Sequence, residues 1–518
     1  MNSIKIFSVL PISTLTGSLR APLSALVDDS RKVQPDCCYV ALRGARADGH
    51  DWIEEAVRKG ARAIVAERSC PEWAREQGVV WVQVPDTHEA VGYLMSAWYG
   101  FPSQDLVTLA VTGTNGKTTT SYLAHAIFCR TWLRCGLVGT IHYDNGRERI
   151  PAVNTTPGAA PLQEMLARML ENGCRAVAME VSSHSLVQKR VAGMNFRVGI
   201  FTNLTQDHLD FHGDMESYYE AKKSLFLQMA ASGDKKAVAV INIDDPYGRR
   251  LVGELSGKMK VRSYGTLEGA DFRIKPLRLS LTGSEYELAY NGKTYLVSIP
   301  LIGRFNMMNS LAALAGTVSA GIGIRDAIAS LAQAPQVPGR LELVANVDHV
   351  MSFVDYAHTP DAIVNVCKTM KELCRGRLIT VFGCGGDRDK AKRPLMGEAA
   401  ARLSDYCIVT SDNPRSEDPE EIIADVLPGI PDGKRHAVVD RAEAIREALA
   451  MARPRDIVLM AGKGHENYQE FATGRIAFSD VAEIKRCVRE LEQSSLKERA
   501  LERERSEQEK QKKGKPRR

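Results

Sequence analysis

No stretch constrains the fold of this chain more than Val111-Thr-Gly-Thr-Asn-Gly-Lys-Thr-Thr-Thr120. An apolar run over 106–111 leads into it, and a helical pattern with Leu123, Ala126 and Ile127 on one face leads out. Strand, glycine turn and helix N-terminus, in that order, turn backbone N–H groups and the positive end of a helix dipole toward an anion. Lys117 adds a point charge, and the Thr118 hydroxyl is the kind of oxygen that holds Mg²⁺ beside a phosphate. The full G-x-x-x-x-G-K-[ST] pattern needs glycine at position 111, where valine stands, so the shorter Gly113-x-x-Gly116-Lys117-Thr118 carries the reading. It predicts an ATP site formed by Gly113, Thr114, Asn115, Gly116, Lys117, Thr118 and Thr119; the plainer alternative is a strand-to-helix turn with a surface lysine.

At 518 residues the chain has room for about three to four domains of roughly 150 residues each, and 44% hydrophobic residues suffice for their cores. The net charge of +5 is small for this length and sits partly in the tail, 497–518, so no nucleic-acid partner is expected. That tail has almost no apolar residues and is expected to be a fraying helix or disordered. The eleven cysteines include no C-x-x-C pair, which argues against a disulfide framework and a thiolate zinc site. A reducing cytoplasm is the expected compartment. The short apolar run before Pro11 does not make a signal peptide, and no stretch reaches the ~18 apolar residues of a membrane span. A monomer acting on small molecules is the expectation.

Periodicity divides the chain. Residues 1–100 read as a small α/β domain, with Asp28-Asp29-Ser30-Arg31, a strand at 38–42, a loop at 44–49, a helix at 53–59 and strands at 63–66 and 79–82. A turn-rich junction, Gly100-Phe-Pro-Ser-Gln-Asp105, opens a central domain spanning 101–333. Its short apolar strands at 106–111, 176–181, 198–202 and 237–241 alternate with helical stretches, the mark of a mostly parallel sheet covered on both faces. In such sheets ligands gather at the carboxyl ends of strands, so Glu180, Thr202-Asn203 and the glycine turn should converge. Glu180 in an apolar strand is costly unless paired or metal-bound, and a Mg²⁺ role is favoured over a structural ion pair.

Asp207-His208-Leu-Asp210-Phe-His212-Gly-Asp214 is the densest polar cluster. Its His-x-x-x-His spacing suits zinc, but no third nitrogen or sulfur ligand is evident, so a single histidine, His208, completing a magnesium site fits better. A helix carrying Lys222 and Lys223 follows. The third region, 334–492, has strands at 378–382, 406–410 and 457–461. Each runs into a polar loop: Gly383-Cys-Gly-Gly-Asp-Arg388, Ser411-Asp-Asn-Pro-Arg415 and Gly462-Lys-Gly-His-Glu466. Residues 493–518 form the charged tail.

Several of these segments resemble, in order, the motifs of the Mur ligases. They are Gly113 to Thr119, Asn154-Thr-Thr-Pro157, Glu180-Val-Ser-Ser-His184, Thr202-Asn-Leu-Thr-Gln-Asp-His-Leu-Asp210, Gly303-Arg-Phe-Asn306, Pro338-Gly-Arg340, Asp355-Tyr-Ala-His358 and Asp412-Asn-Pro-Arg415. The resemblance spans about residues 20–490. It implies an α/β protein of three domains: a small N-terminal one for a UDP moiety, a central P-loop-like ATPase, and a C-terminal Rossmann-like domain that brings an amino acid. It places Ser30, Ala45, Arg46 and Ala47 at the uridine nucleotide, and Asn154, Thr155, Thr156, Ser182, Gln188 and Arg190 on a muramoyl dipeptide. Asn306, Arg340 and Asp355 fall on nucleotide positions, and Thr118, Glu180, His208 and Lys222 on the side of two Mg²⁺ ions, with Lys222 carried as a carbamate.

The activity so implied is an ATP-dependent amide ligase of peptidoglycan precursor synthesis, with Lys117, Glu180, His208 and Lys222 at the chemistry. ATP converts a carboxylate oxygen, a poor leaving group, into a phosphate, a good one, before an amine attacks. The substrates are then the UDP-linked muramoyl dipeptide and a diamino acid. A diamino dicarboxylic acid differs from lysine by a second carboxylate, which a guanidinium grips through two parallel hydrogen bonds. Arg415 of the Asp412-Asn413-Pro414-Arg415 motif and Arg388 offer that grip, and Glu466 with the Gly462 backbone offers a seat for the distal ammonium, so meso-diaminopimelate is expected over lysine. Pairing of Arg415 with Glu417 or Asp418 is the structural alternative. A lysine-adding ligase, a folylpolyglutamate synthetase-like ligase and a P-loop NTPase that drives motion remain the other functional readings.

Overall fold

The computed structural model describes residues 3–10, 13–18, 22–44, 47–491 and 493. The tail from 494 and the Ala45-Arg46 pair lie outside them. Contacts divide the chain into two compact units, the first ending at Arg278 and joined by Ser284–Pro300 and Phe305–Pro335, the second holding Leu279–Gly283, Leu301–Arg304 and everything from Gln336 on.

The first unit opens with a five-stranded sheet. Its strands are β1 (Thr14–Thr16), β2 (Leu26–Val27), β3 (Cys38–Val40), β4 (Ala63–Ala66) and β5 (Val80–Gln83), in the order β1-β5-β4-β3-β2. Only the β1–β5 pair is antiparallel. Strands β3 and β4 are buried along their whole length, because apolar side chains on both faces meet the two clusters that contain Val40 and Val65 on one side and Tyr39 and Ile64 on the other.

A second sheet holds β6 (Val107–Thr112), β7 (Cys135–Val138), β8 (His142–Asp144), β9 (Arg149–Pro151), β10 (Ala176–Glu180), β11 (Val198–Phe201), β12 (Val238–Asn242), β13 (Lys260–Gly265), β14 (Phe272–Ser280), β15 (Gly283–Tyr290) and β16 (Lys293–Ile299). Its order is β16-β15-β14-β13-β12-β11-β6-β10-β7-β8-β9. The block β13-β12-β11-β6-β10-β7 is parallel, as the alternation of apolar runs and helices predicts. The strands outside it were not foreseen; β14, which continues the parallel pairing from β13, is exposed over much of its length and β9 at every residue, so the apolar pattern of these two is weak.

The second unit has β17 (Glu342–Val347), β18 (Val350–Asp355), β19 (Leu378–Phe382), β20 (Tyr406–Val409), β21 (Arg435–Ala437) and β22 (Ile457–Ala461), in the order β17-β18-β22-β19-β20-β21. Only edge strand β17 runs antiparallel. A hairpin of β23 (Tyr468–Phe471) and β24 (Gly474–Ala477) follows. Behind the strand ends lies a fully buried ion pair. Arg441, at the start of the helix Arg441–Met451, donates to Asp480 Oδ1 and Oδ2 at 2.7 Å each. Its Nη2 also donates to the Ala461 carbonyl, 3.1 Å away, and its Nη1 to that of Ser411 at 3.4 Å, so one guanidinium ties the ends of β20 and β22 together.

Removing one partner of such a pair strands a charge with no water to solvate it. Asp480→Ala is expected to lower the unfolding free energy by about 3–5 kcal/mol in urea denaturation. A loss below about 1 kcal/mol, the worth of an exposed pair, would contradict this.

Candidate functional site

Strand β6 lies between β10 and β11, the order at which a crevice opens beyond the strand ends. The parallel register sets Glu180 beside Val111 and Phe201 beside Thr112. The glycine turn, Glu180 and Thr202-Asn203 therefore emerge together, as expected. Thr202 Oγ1 donates to the Asn115 carbonyl at 2.7 Å, and Asn203 Oδ1 accepts from the Asn115 N–H at 2.9 Å.

Two glycines make the cradle possible. Gly113 and Gly116 have φ of 143° and 86°, a region L side chains avoid. A Cβ on Gly113 would stand 1.9 Å from Thr202 Oγ1, and one on Gly116 would stand 2.2 Å from Asn309 Oδ1. The helix Lys117–Trp132 starts directly after, with Gly116, which has no side chain, at its N-cap. The amides and positive dipole end of a helix N-terminus fit a phosphate group. Lys117 Nζ donates to the Gly113 and Thr114 carbonyls at 3.0 and 2.8 Å, which holds its charge over the loop.

Glu180 has no exposed surface. Its Oε2 accepts from the hydroxyls of Thr118 and Thr140 at 3.0 and 3.1 Å, and its Oε1 from the Thr140 N–H at 2.8 Å. Thr140 Oγ1 lies 3.1 Å from Thr155 Oγ1. Thr156 Oγ1 donates to the Glu180 carbonyl at 2.8 Å and accepts from the Ser182 N–H at 3.2 Å, while Arg190 Nη1 donates to the Thr156 carbonyl at 2.7 Å. Thr156 is thus bonded directly to the residue that Thr118 of the phosphate loop meets, Ser182 and Arg190 reach it through Thr156, and Thr155 reaches it through Thr140. Asn154 is exposed and fixed through its backbone to the Tyr143 hydroxyl, and Gln188 is exposed at the end of the helix Ser183–Val187.

The helix Met215–Ala231 brings Lys222 to the loop from the other side. Lys222 is buried, and its Nζ donates to the Gly113 carbonyl at 2.8 Å, 4.4 Å from the centre of the Tyr218 ring. Burial, reinforced by the nearby Lys117 charge, holds its pKa well below the usual lysine value. His208 sits in a left-handed backbone conformation at φ 54°, its ring edge-on to His184 at 4.9 Å. Burial pushes its pKa down to about 4, so the imidazole is neutral at pH 7. Thr118 and Glu180 supply hard oxygen donors, which fit Mg²⁺. An ammonium does not fit beside a divalent cation, so Lys222 fits there only with its positive charge removed, the direction in which burial shifts it. Among the described residues no three His, Cys, Asp or Glu side chains form a ready cage.

Asn306 is buried and accepts at 3.2 Å from Nδ2 of Asn309, the residue that faces Gly116 of the loop. Ser30 opens a short turn capped by Asp29, and the Ala47 carbonyl accepts from the Gly44 N–H at 2.9 Å. Neither Ser30 nor Ala47 shares a hydrogen bond with the phosphate-loop cluster, and Ala45 and Arg46 lie outside the described residues.

In the second unit the register aligns Asp355 with Ala461 and Phe382 with Val409, so the three expected loops share one sheet edge. Asp355 is buried, with its two oxygens accepting from the Leu341 and Ala357 N–H groups at 2.7 and 2.8 Å; burial raises its pKa. The Arg340 guanidinium stacks over Tyr356 at 4.5 Å. Arg388 and Arg415 both approach Gly385, and Arg388 also donates to the Asp387 carbonyl. Arg415 pairs with neither Glu417 nor Asp418, contrary to the structural alternative. Glu417 is taken by Arg393 and Lys390, and Asp418 caps the helix Pro419–Val426, whereas Arg415 pairs with Glu470 at 3.4 Å and donates to the Gly386 carbonyl. Asp412, Asn413 and Glu466 meet as expected, but around Lys463, which sequence reasoning left unassigned. Gly462 lies against Asp412 and donates its N–H to the Asp355 carbonyl, while the Pro414 carbonyl accepts from the Glu417 N–H. Thr140 and Asn309 were missed as well. The polar end of strand β7 and the i, i+3 spacing from Asn306 were the signals for them.

Three family models match this chain: one described as Mur ligase family, catalytic domain, over 24–99, a Mur ligase middle domain over 111–317, and a Mur ligase, glutamate ligase domain, over 339–464. A relative from Geobacter metallireducens named UDP-N-acetylmuramoyl-L-alanyl-D-glutamate--2,6-diaminopimelate ligase is 44% identical over 506 residues, covering 93% of this chain and 97% of that protein. One of the same name from Geobacillus kaustophilus is 43% identical over 470 residues, 90% of this chain and 95% of that protein. A solved structure titled as a UDP-N-acetylmuramoyl-L-alanyl-D-glutamate--2,6-diaminopimelate ligase superposes with a TM-score of 0.69 at 34% identity, over 95% of this chain and 99% of the other. MurF ligase from Thermotoga maritima, solved in complex with ADP, shares the fold at 20% identity and a TM-score of 0.58, over 89% and 96% of the two chains. These matches agree with the three-domain α/β architecture read from the sequence.

The second unit carries a pH signature of its own. His465, beside Glu466, has its pKa pushed from 6.5 down to about 3, first by burial and then by the charges of Arg340 and Lys463. Between those two values the unfolded chain binds the proton and the folded chain refuses it, so stability is full above about pH 6.5 and is lost as pH falls. His465→Gln should flatten this acid limb in thermal melts between pH 7 and 4. An unchanged slope would assign the limb to other groups.

Proposed function

This chain belongs to the Mur ligase family, and from that premise we propose that it is an ATP-dependent amide ligase. It joins meso-2,6-diaminopimelate to the D-glutamate side-chain carboxylate of UDP-N-acetylmuramoyl-L-alanyl-D-glutamate, a step of peptidoglycan synthesis. The observation that carries this reading is the unbroken hydrogen-bond path Thr118–Glu180–Thr140–Thr155, which joins a phosphate cradle to the 154–156 segment. A phosphoryl donor bound at one end meets a carboxylate acceptor bound at the other.

The chemistry follows from that juxtaposition. A D-glutamate carboxylate oxygen attacks the γ-phosphorus of ATP, ADP leaves, and an acyl phosphate forms. The amine of the incoming amino acid then attacks the acyl carbon, loses a proton, and expels inorganic phosphate. Lys117 and the N-terminal end of its helix hold the triphosphate and stabilise the negative charge that shifts onto the leaving ADP oxygen. Asn154, Thr155, Thr156, Ser182, Gln188 and Arg190 hold the dipeptide, and Ser30 with the 45–47 loop its uridine nucleotide. Thr118, Glu180, His208 and Lys222 would hold two Mg²⁺ ions, which when bound neutralise phosphate charge. We assign residues 1–100 to the UDP substrate, 101–333 to ATP, 334–492 to the amino acid and 493–518 to the tail. A monomer working in the cytoplasm fits these substrates, and the eleven free cysteines suit a reducing compartment.

Lys222 is proposed to act as its carbamate. The neutral amine that burial favours attacks CO₂, forming an N–C bond and releasing a proton to water, and the product is an oxygen-bearing anion where an ammonium would repel a metal. Lys222→Ala should abolish most activity and should lose the ¹³C carbamate signal that ¹³CO₂ gives the wild type; full activity without that signal refutes the modification.

The activity itself is tested by phosphate release, which should require both the UDP-linked dipeptide and diaminopimelate. Arg415→Ala should cost about 2–4 kcal/mol, roughly 30-fold to 1,000-fold in kcat/KM for diaminopimelate, with the KM for ATP nearly unchanged. Equal use of lysine by the wild type would overturn the choice of amino acid.

A further inference from the structure

In the region assigned above to the incoming amino acid, the side chains of Asp412, Asn413 and Glu466 converge on a cation that the chain itself supplies. Lys463 has no exposed side-chain surface. Its Nζ lies 2.9 Å from Glu466 Oε2, 3.0 Å from Asn413 Oδ1 and 3.3 Å from Asp412 Oδ1. Asn413 is held in turn, because its Oδ1 also accepts from the Glu470 N–H at 3.0 Å and its Nδ2 donates to Glu466 Oε2 at 2.9 Å. Each carboxylate is thereby engaged through one oxygen. Asp412 Oδ2 and Glu466 Oε1 make no hydrogen bond among the described residues, and the two side chains are 10% and 15% exposed, so those oxygens are what the loops offer a ligand.

Two carboxylates with one ammonium between them carry a net charge of about −1, enough for one further ammonium. Without Lys463 the pair would carry −2 and favour a purely cationic guest. Arg415, whose guanidinium lies beside Gly385 and pairs with Glu470, and Arg388, which passes Gly385 through its Cγ, bring the opposite sign, so that with Glu470 counted three cations face three carboxylates. The distal end of a diamino dicarboxylic acid is one ammonium and one carboxylate, whereas that of lysine is an ammonium alone. The balance of the loops matches the first.

We propose that Lys463 is a positioning and specificity-determining residue: it orients the Asp412 and Glu466 carboxylates and cancels one of their charges, so that the loops accept an ammonium accompanied by a carboxylate over an ammonium alone. This rests on the assignment of these loops to the amino acid. A tie that merely braces the loops would affect all amino acids alike, and specificity therefore separates the two roles.

The test is phosphate release by the full-length enzyme at saturating ATP and UDP-linked dipeptide, with diaminopimelate or L-lysine varied. The enzymes compared are wild type, K463R, K463M and K463M/E466Q. K463M should raise the KM for diaminopimelate more than about 10-fold with a smaller change in kcat, and lower the diaminopimelate-to-lysine ratio of kcat/KM by a similar factor. K463R, which keeps the charge, should hold that ratio within about 3-fold of wild type. E466Q in the K463M background returns the net charge to −1 and should restore part of the ratio, a rescue that lost packing cannot give. K463Q reads the same ratio if K463M does not accumulate in folded form. Equal losses for both amino acids in every variant overturn the proposal. A wild type indifferent to diaminopimelate instead overturns the assignment of the amino acid.

Discussion

A carboxylate removed from water needs donors or it does not stay charged, and in the first unit that requirement falls on Glu180. Its partners are two hydroxyls and one amide, all neutral. They solvate the negative charge without cancelling it. Because the donors come from the first turn of the Lys117–Trp132 helix and from the loop after β7, satisfying one side chain also fixes the phosphate cradle and, through Thr155, the 154–156 segment. The site is organised around an anion that the protein keeps available.

Lys222 mirrors this logic with the opposite sign. It reaches the same loop from the Met215–Ala231 helix, spends a hydrogen bond on the Gly113 carbonyl, and is desolvated beside Lys117. An amine so placed has its charge made costly, and a neutral amine is a nucleophile. Burial here sets chemical character as well as packing.

The second unit treats charge differently. Arg441 and Asp480 cancel one another with no exposed surface and hold two strand ends in register. Lys463 cancels half of a carboxylate pair and leaves the other half facing outward. Full cancellation produces a brace; partial cancellation produces a site whose residual charge selects a guest.

The sequence alone determined the parallel strands, because β6, β10, β19 and β22 are continuous apolar runs that have no stable place except between two covered faces. It also determined the cradle, since Gly113, Gly116 and Lys117 are local and their spacing is the chemistry. Convergence of Glu180 and Thr202 on that cradle was legible as well, from strand ends in a parallel sheet. What only the tertiary structure decided involves partners far apart in sequence: Glu180 with Thr140, Gly116 with Asn309, Arg441 with Asp480, Arg415 with Glu470. Arg415 shows why. Its acidic neighbours Glu417 and Asp418 are adjacent in sequence, yet Arg393 claims one and a helix N-terminus claims the other. Periodicity fixes which face a residue presents, but which of several compatible charges it meets depends on competition among all groups brought to that place, and only the folded chain resolves it.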